Sequence, residues 1–249
     1  MSFWKRFFNT APKITSSPEE SMLTPLPAFP FPLIKVAGEH APSEWRNYQE
    51  QWQKEGCSAV VLSPETIHAL APLLATDDPP TTEIIASAES VSAKAFFAKR
   101  EIENVEDETE IEIGDWPSGP VATTTLSAHC EIGSGKPLPF VFLAKIPTSK
   151  PWQIPAYLKF GGWNACPDPA QQTAVLHYWA ERYGIEVYSI SSDTMECAVA
   201  RPPRNKEDAL ALAHEQFLFC GDIVFQGTET ITLLAAGIIN ADAWFFWWD

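Results

Sequence analysis

A cysteine on a glycine-opened turn is the strongest candidate for nucleophilic chemistry in the sequence. Cys166 follows the pair Gly161-Gly162 and stands just before a stretch of helical periodicity that begins at Asp168. A thiol near a helix N-terminus has a lowered pKa, and the thiolate is the reactive form. A general base would have to come from His129, His177 or His214. No triad order is visible, and a buried cysteine is also an ordinary core residue. The sequence therefore favours a protein without catalytic residues, while leaving the question of an enzyme open.

Polar residues in two further segments could form a ligand pocket with this turn. Asp222 and Gln226 follow the end of a predicted helix in a stretch otherwise rich in Phe, Ile and Val. Polar groups in such surroundings need hydrogen-bond partners from the fold or from a ligand. The last run, Trp244 to Asp249, adds bulky aromatics and a terminal dicarboxylate that suits a cation or an amine. The predicted pocket residues are Trp163, Asn164, Cys166, Asp222, Gln226, Trp248 and Asp249.

The same residues also suit an architectural role. A glycine pair lets the backbone approach a ligand closely, and an indole beside it makes a good pocket wall. Asparagine beside glycine, however, usually holds a turn by bonding its own backbone, and Trp163 is equally suited to the core. The sequence favours a fold-defining junction that also lines a pocket. The alternative is a turn buried against its neighbours with no cavity.

Neither a metal nor a cofactor is predicted. Cys166, His177, Cys220 and Asp222 are suitable ligand types, but structural zinc usually takes closely spaced pairs, and only Cys220 and Asp222 come close. The acidic stretch 101–115 lacks the ligand offsets and central glycine of a calcium loop, so we interpret it as a solvated face.

The composition predicts an acidic globular protein with a real core. The 249 residues are 45% hydrophobic and include ten tryptophans. The formal net charge is −15, from 32 acidic and 17 basic side chains. Such a charge repels phosphate backbones, so nucleic acid is not predicted, whereas a basic protein partner is favoured. Five scattered cysteines without a C-x-x-C pair, and no secretion signal, predict reduced thiols and a cytoplasmic location.

The N-terminal segment has its own character. Residues 1–8 are aromatic and cationic, which suits weak contact with a membrane interface, but they are too short for stable insertion. Prolines then recur up to residue 32, which predicts an extended arm.

Periodicity predicts an α+β fold. We expect a C-terminal mixed β-sheet covered by about three helices, with a smaller N-terminal α/β unit with a parallel sheet packed against it. The predicted segments are residues 1–32 (arm), 33–116 (α/β unit) and 117–249 (α+β domain). Extended segments are expected at 31–36, 58–62, 82–85, 123–132, 140–146, 152–160, 185–190 and 195–200. Because both faces of 244–248 are apolar, we expect a central, covered strand there.

Several motifs resemble a known bacterial family. They are Ala156 to Pro167 (AYLKFGGWNACP), His177 to Gly184 (HYWAERYG), Ala209 to Phe217 (ALALAHEQF), Asp222 to Gly227 (DIVFQG) and Trp244 to Asp249 (WFFWWD). In combination they resemble domain-of-unknown-function family 4253, over about residues 140–249. The resemblance implies a bacterial source and no particular activity. Phe225 departs from the family pattern, which has an acidic residue between Val224 and Gln226.

Two functions follow as expectations. The first is a non-catalytic protein-binding module, of which one that neutralises a basic toxin is an example. The second is an enzyme or small-ligand-binding protein whose pocket is formed by Gly161 to Cys166, Asp222 to Gln226 and the C-terminal aromatic strand.

Overall fold

The structure is a computed structural model that describes residues 25–106 and 112–249. The predictions made for residues 1–8, for the arm up to residue 24 and for residues 107–111 of the acidic stretch lie outside the described residues.

Six strands of the described residues form one mixed sheet in the order β1-β3-β2-β4-β5-β6. They are β1 (Leu33–Val36), β2 (Ser58–Leu62), β3 (Val141–Ile146), β4 (Ile185–Ile190), β5 (Thr194–Val199) and β6 (Ala243–Trp247). Only β2 and β4 pair in parallel. The predicted α+β class is confirmed, but β1 and β2 both pair antiparallel with β3. The expected parallel N-terminal sheet is therefore not formed, and β2 instead completes the sheet between β3 and β4.

Helices cover the sheet. Those of the described residues are α1 (Ala41–Gln53), α2 (Pro64–Leu74), α3 (Thr81–Ser90), α4 (Ala93–Glu106), α5 (Ile154–Leu158), α6 (Pro169–Tyr183), α7 (Lys206–Phe219) and α8 (Ile231–Ile238). A π-helix spans Ile223–Thr228. None of the helices in the described ranges combines the length and apolar character that a membrane crossing needs.

Capping side chains fix the ends of α6 and α7. Asp168 accepts hydrogen bonds from the first turn of α6 and forms a capping box with Gln171. Gly184 ends the same helix in the left-handed conformation, which glycine adopts without steric cost. Asn205 caps α7 by accepting from the Asp208 amide. These caps place the start of α6 directly after the turn that carries Cys166.

An aromatic cluster joins the helices to the sheet. Its centre is the fully buried Trp179 of α6. The indole stacks on Phe246 of β6 at a centroid distance of 5.7 Å and on Phe97 of α4 at 6.0 Å. Phe219 of α7 meets the same indole edge-on at 5.1 Å. Residues from both ends of the chain therefore share one hydrophobic core.

The opposite face of the sheet is covered by α1 and by residues 126–138, here called the strap. Trp45 and Trp52 of α1 are buried against β2 and β3. The strap crosses β5, where the buried carboxylate of Glu196 accepts hydrogen bonds from the Ser127 amide and hydroxyl and from the Ala128 amide. The predicted strand at 123–132 is therefore wrong, because the peptide groups of Ser127 and Ala128 bond this side chain.

Two other predicted extended segments are helical. The β-branched run 82–85 lies in α3, where Ile84 and Ala88 form a buried stripe one turn apart. In the segment 152–160, Pro155 occupies the first turn of α5, a position where proline's missing N–H has no cost. Both predictions are wrong because they were based on the local residues alone.

The C-terminal aromatic run is a strand, and among the strands of the described residues it lies at the end of the sheet rather than in its centre. β6 pairs with β5 and is the last strand in the sheet order. Trp244, Phe246 and Trp248 are buried, whereas Phe245 and Trp247 are half-buried. Apolar residues at successive positions indicate that both faces of a strand are covered by other parts of the protein. They carry no information about lateral neighbours, which is why the prediction of a central strand is wrong.

Candidate functional site

The glycine pair lets the chain fold back on itself at the turn from Phe160 to Pro167. Gly161 and Gly162 have φ values of +114° and +88°. A Cβ on Gly161 would lie 2.0 Å from the Pro167 carbonyl oxygen, a distance that no side chain tolerates. The Gly162 amide donates to that same oxygen at 3.1 Å. The glycines therefore serve the closure of this turn.

Cys166 is buried rather than activated. Its side chain is 5% exposed, and Gln172 Nε2 donates to Sγ at 3.2 Å. Burial raises the pKa of the thiol to about 12, which outweighs the lowering effect of its hydrogen bonds. The expectation of a lowered pKa at the start of α6 is wrong for this reason.

Each candidate base lies elsewhere. His129 Nδ1 is 3.2 Å from the Tyr188 hydroxyl on the strap side of the sheet. The His177 ring stacks on Trp152 at 4.8 Å, and His214 Nε2 lies 3.8 Å from Glu101. The described residues therefore contain no thiol–imidazole pair built on Cys166.

The three predicted pocket segments do converge. Asn164 Nδ2 donates to the Asp249 carbonyl oxygen at 2.7 Å, and the Asp249 amide donates to Asp222 Oδ2 at 3.1 Å. Gln226 Nε2 donates to Asp222 Oδ1 at 3.1 Å and approaches Asp249 Oδ2 at 3.5 Å. We call these four residues the Asp222 network. Much of their hydrogen-bonding capacity holds the turn, the π-helix and the end of β6 together.

The two predicted tryptophans lie beneath this network. Trp248 is 1% exposed, and its Nε1 donates to the Phe219 carbonyl at 3.4 Å. Trp163 is half-buried and packs edge-on against Phe160 at 5.0 Å. Cys166 and Trp248 are therefore core residues, whereas Asn164, Gln226 and Asp249 are exposed.

A cleft opens beside the network, between α4 and the C-terminal end of α7. Its volume is about 540 Å³. It is lined by Arg100, Glu103, Asn104, Ala165, Phe217, Leu218, Gly221, Asp222 and Phe225. We call it the Phe225 cleft. Of the predicted pocket residues, only Asp222 lines it.

Phe225 is held at the cleft with its ring half exposed. The side chain is 50% exposed and packs edge-on against Phe217 at 5.3 Å. A Cβ on Gly221 would lie 3.2 Å from the Phe225 ring, so glycine there makes room for it. Phe225 belongs to the π-helix, and such helices are frequent at functional sites.

The cleft favours positive charge. Arg100 is committed to the protein, since Nε donates to the Leu218 carbonyl at 3.2 Å and a terminal nitrogen donates to the Ala165 carbonyl at 3.4 Å. Its other terminal nitrogen lies 3.5 Å from Glu103. Asp222 lies at the C-terminal end of α7, where the helix dipole is negative, and its two oxygens accept hydrogen bonds within the Asp222 network.

Metal ligation is not built into this region. Within the described ranges, no three His, Cys, Asp or Glu side chains are placed to hold a metal ion. The thiol of Cys220 is fully buried and donates to the Trp247 carbonyl.

The burial pattern predicts which thiols react. At about pH 8, near the ordinary pKa of cysteine, we expect native protein to be labelled by a maleimide or by iodoacetamide only at Cys57 and Cys130. Both are half-buried, whereas Cys166, Cys197 and Cys220 are buried with raised pKa values. Burial and the nearby Glu196 also raise the pKa of Cys130, so we expect it to react more slowly than Cys57. Mass spectrometry of the labelled peptides measures the sites, and C166A should label with the kinetics of the unmodified protein. Native labelling of Cys166 as fast as Cys57 would contradict the prediction.

Comparison with known proteins supports the resemblance of the C-terminal motifs. No curated protein and no solved structure matches the chain. One family model does match, over residues 142–249, and its description is "Domain of unknown function (DUF4253)". The matched region contains α6, α7, the Asp222 network and β4 to β6. Residues 142–249, the C-terminal part of the chain, therefore match the DUF4253 family model, in agreement with the resemblance of the motifs.

Proposed function

We propose that the protein is a non-catalytic binding module that docks a basic protein partner at the Phe225 cleft. The observation that carries this proposal is the half-exposed ring of Phe225 beside the carboxylates of Asp222 and Glu103. Large aromatic side chains that project beside a cleft are typical anchors of protein interfaces. Carboxylates around such an anchor select a partner that carries lysine or arginine.

Charge complementarity supports a basic partner. The chain carries 32 acidic and 17 basic side chains, so its field attracts cationic proteins over a distance. In the cleft itself, Glu103 and the helix end offset Arg100, and Asp222 adds negative charge. Asp249 lies beside the cleft in the Asp222 network. An arginine from the partner could bond Asp222 while its guanidinium lies over the Phe225 ring. A basic toxin is one protein with this chemistry.

The state of the cysteines supports a binding role in a reducing compartment. All five cysteines are free thiols, and the candidate nucleophile Cys166 is buried with a raised pKa. Reduced thiols fit a cytoplasmic location.

A small-ligand-binding function is the second candidate. The Phe225 cleft of about 540 Å³ falls within the usual size of ligand pockets, about 300–1,000 Å³. The converging segments of the Asp222 network bond one another beside this cleft, so a small ligand would contact mainly α4, the end of α7 and the π-helix.

An affinity-capture experiment tests the proposal. Immobilised protein is incubated with lysate of the source organism at low and high salt, and captured proteins are identified by mass spectrometry. We expect to capture a basic partner, and we expect less of it at high salt. Its affinity for F225A should be at least about tenfold lower than for the unmodified protein, which corresponds to about 1.4 kcal/mol.

The control variant is I132A, since Ile132 is 66% exposed on the strap, which covers the opposite face of the sheet. It should bind the partner as the unmodified protein does. Capture of no protein partner, or a partner that binds F225A and D222N unchanged, would rule out docking at this cleft.

A further inference from the structure

A second and larger cavity lies on the other face of the sheet, between α1 and strands β4 and β5. Its volume is about 670 Å³. It is lined by Trp45, Arg46, Gln49, Glu50, Gln53, Lys54, Gly184, Glu186, Ala198, Val199, Ala200 and Asp242. We call it the α1 cavity. It shares no residue with the Phe225 cleft.

The sheet is incompletely paired beside this cavity. β2 and β4 are in register only at Val61 and Ser189. At Ala59, side chains of α1 satisfy both peptide groups: Trp45 Nε1 donates to the carbonyl at 3.0 Å, and the amide donates to Gln49 Oε1 at 2.7 Å. The helix therefore fixes this end of the sheet through buried polar contacts.

These contacts orient a carboxylate toward the cavity. Gln49 is 4% exposed, and its Nε2 donates to Glu186 Oε1 at 2.9 Å. Both ends of the Gln49 amide are thus committed, one to β2 and one to Glu186. Among the described residues, Glu186 Oε2 has no hydrogen-bond partner. This fixed acceptor can receive a cation or an ammonium group.

Two cations line the same cavity, Arg46 of α1 and Lys54 at the C-terminal cap of α1. Arg46 and Lys54 are exposed, and neither forms an ion pair with the rest of the described chain. Glu50 is one turn from each of them, yet it pairs with neither. In a chain with nearly twice as many acids as bases, unpaired cations at a cavity indicate a site for an anionic group.

We propose that the α1 cavity binds a small zwitterion, either a free amino acid with an apolar side chain or a short peptide. The ammonium group lies at Glu186, and the carboxylate lies at Arg46 or Lys54. Glu50 and Asp242 on the rim add attraction for the ammonium group. The apolar surface of Ala198, Val199 and Ala200, next to the buried Trp45, receives the side chain.

The dimensions accommodate both sources of this chemistry. Arg46 of α1 and Lys54, which caps the C-terminal end of α1, are eight residues apart, or about 12 Å along the helix axis. A dipeptide spans more of this row than a free amino acid, since an extended residue is about 3.5 Å long. The cavity volume is within the usual range for ligand pockets.

Isothermal titration calorimetry with leucine and with the dipeptide Leu-Leu tests the proposal. We expect saturable binding of at least one of them, and no binding of N-acetyl-leucine or leucine amide, each of which lacks one charge. E186Q should weaken binding at least tenfold, and so should R46Q or K54Q, according to which cation receives the carboxylate. E39Q is the matched control, because Glu39 is an exposed glutamate outside the cavity. F225A should bind these ligands normally.

Which ligand binds identifies the source: leucine alone indicates an amino-acid site, and Leu-Leu alone indicates a peptide site. Absence of binding by both compounds overturns the proposal, and so does equal binding of the blocked analogues. Unchanged affinity in E186Q, or in both R46Q and K54Q, with circular dichroism showing a native fold, also overturns it.

Discussion

Replacing Trp179 by alanine is expected to lower the free energy of unfolding by about 3–5 kcal/mol. The indole is fully buried and stacks between Phe97 of α4 and Phe246 of β6. It therefore bridges an element that precedes the DUF4253 region and the last strand within it. Its removal leaves a cavity where these elements meet. Domains typically unfold with about 5–15 kcal/mol, so the loss is a large fraction of the total.

Urea unfolding followed by far-ultraviolet circular dichroism measures this loss. Ten tryptophans make fluorescence a mixed signal, so the backbone signal is preferable. W179F is the matched control, since it keeps an aromatic ring and removes the Nε1 donor that bonds Glu215 at 2.8 Å. We expect it to lose less than half as much as W179A. A loss below about 1 kcal/mol for W179A would show that the surrounding rings collapse into the space.

The sequence was most informative where a local rule determines the structure. Asp168 and Gly184 bound α6 as their capping preferences predict. Local propensity failed for residues 82–85, a largely β-branched run that lies in α3, where Ile84 and Ala88 form the buried stripe. It also missed that β2 lies between β3 and β4, because strand order depends on contacts far apart in sequence. Helix ends are local properties, whereas sheet order is not.

The candidate site likewise has a part that the sequence predicted and a part that it did not. Motifs in the sequence located the Asp222 network, since Asn164, Asp222 and Asp249 bond one another in the structure. The cleft residues Arg100 and Glu103 were missed, because α4 meets the end of α7 only through tertiary packing. The available signal was Phe225, an aromatic residue where the resemblance leads us to expect an acid.

Glu196 shows a further limit of sequence interpretation. It lies in β5 between Met195 and Cys197, and nothing local distinguishes it from a solvated strand residue. In the structure it is 2% exposed and holds the strap. Whether a strand carboxylate faces water or a covering segment is decided by a segment almost 70 residues away.

Replacing Glu196 by alanine is expected to lower the free energy of unfolding by at least about 2 kcal/mol, because each buried N–H left without an acceptor costs about 1–3 kcal/mol. The amides of Ser127 and Ala128 would both lose their acceptor. Hydrogen exchange should accelerate in residues 126–138, whereas the amides of α7 should keep their protection relative to global unfolding. Urea unfolding and exchange measured by mass spectrometry test the two parts. Unchanged exchange in the strap would show that Glu196 does not hold it.

Replacing Glu196 by glutamine is expected to raise the free energy of unfolding above neutral pH, whereas the alanine replacement lowers it. Burial raises the pKa of the Glu196 carboxyl, and this outweighs the lowering effect of its hydrogen bonds from Ser127 and Ala128. In the folded state, Glu196 therefore keeps its proton to a higher pH than in the unfolded state, which releases it from about pH 4 upward. The stabilisation that comes from this proton is complete below that pH and is lost as the pH rises through the folded-state pKa. Glutamine can accept from both amides and donate to the Ser127 hydroxyl without burying a charge.

The stability of E196Q relative to the unmodified protein should therefore increase between about pH 4 and pH 8. The control E131Q neutralises an exposed carboxyl on the strap and should show no such increase. Urea unfolding across this range measures the difference, and a difference that stays constant or falls with rising pH would mean that the folded protein keeps Glu196 ionised without cost.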